Sequence, residues 1–356
     1  MNVNQLNLKY NPFDSITPTK GAHLFWAGMP EIKDKITNIY SQSFHQTSKK
    51  IILNWGTWGG GKTHAAYYFA INKIQVPDSD VLHIYTQLEK TDKDVFTNFI
   101  KNIIIQVGMD NWYDLIQENI KSIGQDEIVK IIINRTDETT ANTIIRLFTG
   151  VFSADIIRKY VRSGLTNAAL EKLRLDGNLK SEKDYTDFLT GLLIAATFGT
   201  NKRVFLWIDE LEEIIRLSGK EFNRFNLNLR DLLDKINEQI IVFMNITFSE
   251  NDLESVKTMF SSALWSRITD FIRFSDMNLN DAKLYYKEAR DTALIDNSKP
   301  FLISDELAER VLQTIPVSNL TPRKINDMFN KIIVYALSND KENIEASDIN
   351  KLLFDN

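Results

Sequence analysis

Four apolar runs rich in β-branched and aromatic residues constrain this chain most: KIILNW (50–55), VLHIYT (81–86), RVFLWI (203–208) and IIVFMN (240–245). Continuous apolar character, rather than alternation, is what a strand buried on both faces requires. Each run is followed by a segment with helical spacing, which predicts βαβ units and a parallel sheet covered by helices on both sides. A fifth, weaker run is FIRF at 271–274. The expected fold class is α/β, a three-layer αβα arrangement.

Between the second and third runs, from about Asp92 to about Thr200, strand character is missing and helical spacing takes over. The segments DVFTNFIKNIIIQV, DNWYDLIQENIKSI, TTANTIIRLFTGVFSADIIRKYV and EKDYTDFLTGLLIAA each carry apolar residues at three- and four-residue intervals. This reads as an all-helical insert. After FSDMNLND (274–281) the pattern stays helical, so residues 1–275 are expected to form the α/β core and 276–356 a helical lid, hinged near Asn278.

The first run leads into Gly56-Thr57-Trp58-Gly59-Gly60-Gly61-Lys62-Thr63 and then the helical HAAYYFAINKI. Strand, glycine loop, Lys-Thr and helix make a phosphate-binding P-loop, in which backbone N–H groups curl around phosphate oxygens at the positive end of a helix. Lys62 is expected to neutralise the β- and γ-phosphates and the Thr63 hydroxyl to hold magnesium. The third run delivers Asp209 and Glu210 to its carboxyl end, where open parallel sheets bind ligands. Asp209 is a second candidate metal ligand and Glu210 the candidate base for water. A pair of acids there also suits a plain helix N-terminus.

At these residues the chain resembles the AAA+ ATPases. The resemblance implies that the fourth run ends in a polar sensor, for which Asn245 and Thr247 are the candidates. It also implies an arginine reaching a neighbouring subunit's site: Arg267 in SALWSRITDFIRF, with Arg273, Arg224 and Arg230 competing. Arg323, next to Pro322 in NLTPRKINDMFNKI, resembles the lid arginine that senses the γ-phosphate of its own subunit's nucleotide. YNPFDS followed by HLFWAGMPEIKDKI is similar to the start of the origin-recognition-complex-like and transposition-type branch, where such an element closes over the adenine. Tyr10, Phe13, Gly28 and Met29 are the slot candidates, with plain core packing the alternative for Phe13. GTWGGGKT is also similar to the KAP ATPases, another P-loop group with helical insertions in the same interval.

The resemblance implies ATP and ADP as ligands, Mg2+ as cofactor, and a homo-oligomer or mixed AAA+ assembly. Two partners stay open. DNA is one, through the core or through Arg158, Lys159, Arg162, Lys172, Arg174, Lys180 and Lys183 of the insert, a run that equally suits a solvated helix face. A protein effector is the other, with the chain as a nucleotide-driven switch of the kind found in prokaryotic defence. A net charge of −5 argues against binding duplex by bulk charge, and little sequence follows the lid to supply a winged helix. The absence of cysteine excludes disulfides and thiolate metal sites. The histidines at 23, 45, 64 and 83 have no metal-ligand spacing; His64, beside Thr63, is expected near the nucleotide in a packing or capping role. No apolar run approaches the roughly 20 residues that span a bilayer, so a cytoplasmic chain without membrane partners is expected.

Overall fold

A computed structural model describes residues 2–14, 24–46, 48–71, 81–89, 94–150, 152–248 and 253–354. Asp92, the expected start of the insert, and Ser15 and His23 of the amino-terminal element lie outside them. The chain divides into two compact units. A sheet unit comprises Ile39–Trp55 and Lys73–Ile272, and a lid unit comprises Met1–Asn38, Gly56–Asn72 and Arg273–Asn356.

In chain order the first elements are α1 (Pro30–His45), β1 (Lys50–Gly56), α2 (Lys62–Ile71) and β2 (Val81–Gln87). The insert follows as α3 (Val95–Val107), α4 (Met109–Ile123), α5 (Gln125–Arg135), α6 (Glu138–Thr149), α7 (Ala154–Ser163), α8 (Asn167–Leu173) and α9 (Glu182–Thr197). Then come β3 (Arg203–Asp209), α10 (Gly219–Lys235), β4 (Ile240–Thr247), α11 (Leu253–Lys257), α12 (Ser262–Trp265) and β5 (Asp270–Phe274). The last helices are α13 (Leu279–Ala293), α14 (Asp305–Gln313), α15 (Pro322–Ser338) and α16 (Ala346–Phe354).

The five expected runs form one sheet in the order β2-β3-β4-β1-β5, with β2–β3 and β3–β4 parallel. The chain leaves β1 toward β2 on one side and leaves β4 toward β5 on the other, so the carboxyl ends of β1 and β4 flank the topological switch point. Within the sheet unit, side chains such as Leu206, Val242 and Leu53 join the core formed with α3, α9 and α10. On the opposite face Tyr40 of α1 stacks on Phe205 with centroids 3.7 Å apart, and Trp207 on Phe243 at 4.1 Å. Helices on both faces complete the three-layer P-loop architecture.

The insert belongs to the sheet unit's own core. Its central helix, α9, is buried from Tyr185 to Thr197. One expectation is corrected: the stretch 139–161 is two helices, not one. Gly150 ends α6 in an extended conformation, and a Cβ there would lie 2.3 Å from the Phe152 ring. Helices α5 and α8 were not expected.

In the lid unit, Leu6, Leu8 and Phe13 are buried with α13, α14 and α15. Lys9 donates its N–H to the Ala293 carbonyl at 2.8 Å, and Leu8 forms an antiparallel bridge with Leu294. Among the described residues no helix is long and apolar enough to cross a membrane.

Candidate functional site

The glycine loop lies in the lid unit. Gly56 has φ +151°, and a Cβ there would sit 2.0 Å from the Phe274 carbonyl oxygen; Gly59 has φ +82° and faces Arg323, whose Cβ would be 2.9 Å away. Both positions need glycine for conformation and for space. Lys62 opens α2 and turns back into its own loop, where Nζ donates to the Gly56 and Thr57 carbonyls at 2.9 Å each. This is the geometry of a cation held inside a ring of backbone, with its charge at the loop centre. Thr57 Oγ1 donates to Asp276 Oδ1 at 2.6 Å, tying the loop to the segment after β5. Thr63 is the second residue of α2.

Thr321 caps α15 and Pro322 takes its first position, which presents Arg323 in the first turn. The Arg323 guanidinium lies 3.8 Å from the centroid of the Trp58 ring, which is itself 71% exposed. Arg323 Nε is buried without a hydrogen-bond partner among the described residues, and burial holds the guanidinium pKa below its ordinary value.

Of the adenine-slot candidates, Phe13 is fully buried, stacked on Tyr286 and tilted against Phe329, as the packing alternative describes. Tyr10 reaches Thr292. Gly28 and Met29 both take positive φ ahead of α1, and the Gly28 N–H donates to Glu288 at 2.6 Å. The sequence reading missed Trp26, whose indole N–H donates to the Gly28 carbonyl and whose ring meets His64, Tyr68 and Phe69 edge-on. His64 donates from Nε2 to the Phe25 carbonyl at 2.7 Å. Its burial pushes the imidazole pKa down, favouring the neutral ring expected of a packing role.

The acidic candidates lie in the sheet unit. Asp209 ends β3 and is buried; its Oδ2 accepts from the Tyr85 hydroxyl at 2.9 Å and its Oδ1 from the Glu210 N–H at 3.1 Å. Glu210 has φ +55°, a left-handed conformation that costs a non-glycine residue about 1 kcal/mol or more and is typical of functional positions. Asn245 of β4, the residue after Met244, which pairs with Ile208, is fully buried and accepts at Oδ1 from Asn54 Nδ2 of β1 at 2.9 Å. Thr247, the last residue of β4, donates its N–H to Glu212 at 3.0 Å. Tyr85, Asn54 and Glu212 carry no sequence signal: the first two meet their partners only through strand pairing, and Glu212 meets Thr247 only because the 3-10 turn Leu211–Arg216 lies against β4.

Among the arginines, Arg267 makes a two-pronged pair with Asp234, 2.9 Å on each side, and its Nη1 donates to the Ala263 carbonyl. Arg224 pairs with Glu182 and Glu221. Arg230 Nε is buried and has no partner among the described residues. Arg273 is exposed on β5.

Sheet order, glycine loop and helical lid define the class: an α/β P-loop fold of the AAA+ kind. Two solved structures share it over nearly all of this chain. ORC2 of Aeropyrum pernix, solved in ADPNP–ADP complexes, aligns with TM-score 0.52 and 11% identity over 97% of this chain and 72% of that one. ORC1 of Aeropyrum pernix, solved in complex with DNA, aligns with TM-score 0.52 and 10% identity over 98% and 67%. At such identity the likeness is one of fold, and it is the origin-recognition-complex-like fold that the motif order implied. No family model and no curated protein matches the sequence.

Proposed function

We propose that this chain is a magnesium-dependent ATPase of AAA+ type, coupling ATP binding and hydrolysis to assembly on, or remodelling of, a DNA-associated complex. The observation that carries the reading is the Lys62 loop with the lid arginine Arg323 lying beside it in the same unit. In this reading Lys62 and the amides of residues 56–63 bind the phosphates, with Trp58, His64 and Met29 around the nucleotide. Arg323 senses the γ-phosphate in cis. Asn245, with Thr247 as the alternative, is the polar sensor. Glu210 takes the proton of the attacking water as its oxygen bonds to the γ-phosphorus and the bond to the ADP oxygen breaks.

Thr63 and Asp209 would hold the magnesium. One hydroxyl and one carboxylate suit a hard cation that keeps waters and phosphate oxygens, and among the described residues no His, Cys, Asp and Glu cluster forms an all-protein cage. When bound, the ion would supply charge neutralisation at the phosphates.

The active unit in this reading is a cytoplasmic oligomer in which an arginine serves the neighbouring subunit. Arg267 would have to release Asp234 to do so. Support for DNA comes from the shared fold with a protein solved on DNA and from exposed Lys159, Arg162, Lys172 and Arg174. The second reading, a switch for a protein effector as in defence systems, is favoured by the net charge of −5 and by Arg158 and Lys183 being already ion-paired.

Steady-state ATP hydrolysis across a protein concentration series, with and without DNA, decides between them. Stimulation by DNA supports the first reading, and a low rate indifferent to DNA supports the second. Glu210→Gln is expected to bind ATP while losing about a hundredfold or more in turnover, and Lys62→Ala to lose ATP binding. Undiminished affinity in Lys62→Ala would remove the loop assignment.

A further inference from the structure

Asp276 is an acid tied to a loop built for anions. It is half-buried on the short segment between β5 and α13, and its Oδ1 accepts from Thr57 Oγ1, the second residue of the glycine loop, at 2.6 Å. That bond is its one hydrogen bond or ion pair among the described residues, which leaves Oδ2 unclaimed there. Loop, acid and segment all belong to the lid unit.

A tether to a threonine hydroxyl needs only an acceptor, which a neutral asparagine carbonyl supplies. A carboxylate beside a phosphate loop repels each phosphate that binds there. The full negative charge therefore asks for a donor that phosphates do not offer, and the neighbours of Asp276 in the chain say where that donor lies. Two residues earlier, Phe274 packs on the loop: Cβ atoms at Gly56 and Gly60 would lie 2.0 and 3.2 Å from its carbonyl oxygen. One residue later, Met277 is 2% exposed, and its Cε is 3.5 Å from where a Cβ at Gly28 would stand, in the slot expected for adenine. The Met277 N–H donates to the Leu320 carbonyl at 2.8 Å, which fixes the segment just ahead of α15. Asp276 thus sits between the residue that meets the phosphate loop and the residue that meets the base slot. In a nucleotide the sugar stands between base and phosphates, and its hydroxyls are donors that suit a carboxylate.

We infer that Asp276 is a specificity-determining residue whose second carboxylate oxygen accepts from the ribose diol of the bound nucleotide. The inference rests on reading the glycine loop and the slot as a nucleotide site, and the test separates the two. Equilibrium binding of ATP, 2′-deoxyATP and 3′-deoxyATP to the full chain is measured by calorimetry with Mg2+ present. No binding of any of the three overturns the nucleotide reading and this inference with it. With ATP bound, at least one deoxy analogue is expected to bind about ten- to a hundredfold more weakly, the scale of a hydrogen bond to a charged group. Equal affinities overturn the inference and leave the nucleotide reading standing. Asp276→Ala should lower ATP affinity to that of the weaker analogue while keeping that analogue's own affinity within about threefold. Asp276→Asn keeps an acceptor for Thr57 but not the charge; it is expected to narrow the gap to about threefold at an unchanged melting temperature. If Asp276 only fastens the loop, both variants weaken ATP and its analogues equally and the gap persists, which overturns the inference. A changed Mg2+ requirement with the gap intact assigns the acid to the metal and overturns it as well. The asparagine variant keeps the test decisive where the alanine variant fails to fold.

Discussion

Trp58 is the residue whose chemistry can be followed most directly. An indole 71% exposed in a phosphate loop gains little from burial, so its contact with the Arg323 guanidinium at 3.8 Å is best described as cation–π, worth about 0.5–2 kcal/mol. Phosphate oxygens offer that guanidinium charged, bidentate partners and compete for it. Binding of ATP, but not of ADP, is therefore expected to draw Arg323 off the ring and change Trp58 emission. The change should vanish in Arg323→Ala and in Trp58→Phe. A full-sized change in Arg323→Ala would show that Trp58 reports something other than this arginine.

At the scale of elements, α9 ties the insert to the sheet unit. Asp187, 1% exposed within it, accepts from Lys235 of α10 at 2.7 Å and from Lys183 at 2.5 Å. Lys235 is 21% exposed and Lys183 is 64% exposed, so solvent screens the second pair and the first dominates. Deleting the acid leaves the Lys235 ammonium to Asp231 of its own helix, also 2.7 Å away, and removes its bond to α9. Asp187→Ala is expected to cost about 1.5–3 kcal/mol, the scale of a hydrogen bond to a charged group, and to lower the urea midpoint. A loss of unfolding free energy of a few tenths of a kcal/mol or less would mean that α9 and α10 are held by apolar packing alone. The same scale shows what was legible. Helices α3, α4 and α9 were readable from their apolar spacing, whereas the α6–α7 break was hidden because Gly150 sits inside a run whose spacing continues past it.

At the scale of the whole molecule, sequence order and spatial grouping part company: residues 1–38 and 56–72 group with 273–356. Leu6, Leu8 and Phe13 complete the core around Tyr286 and Phe329. Burying a large apolar side chain contributes about 1.5–3 kcal/mol, so removing residues 2–14 should cost the lid unit about 5 kcal/mol. Thermal melting of the truncated chain is expected to show an early transition absent from the full one; a single unchanged transition would show that the amino-terminal segment adds nothing to that core.

The sequence by itself determined the parallel sheet, the phosphate loop and the acidic strand end. Each of these is written in contiguous residues, through apolar runs, glycine spacing and a strand terminus. The tertiary structure alone decided which side chains complete them. Tyr85 reaches Asp209 across 124 positions, Thr57 reaches Asp276 across 219, and Asn54 finds Asn245 only because β1 lies beside β4 in the sheet. A hydrogen bond depends on proximity in space, and strand order, which local spacing does not encode, is what brings these polar groups within reach of one another.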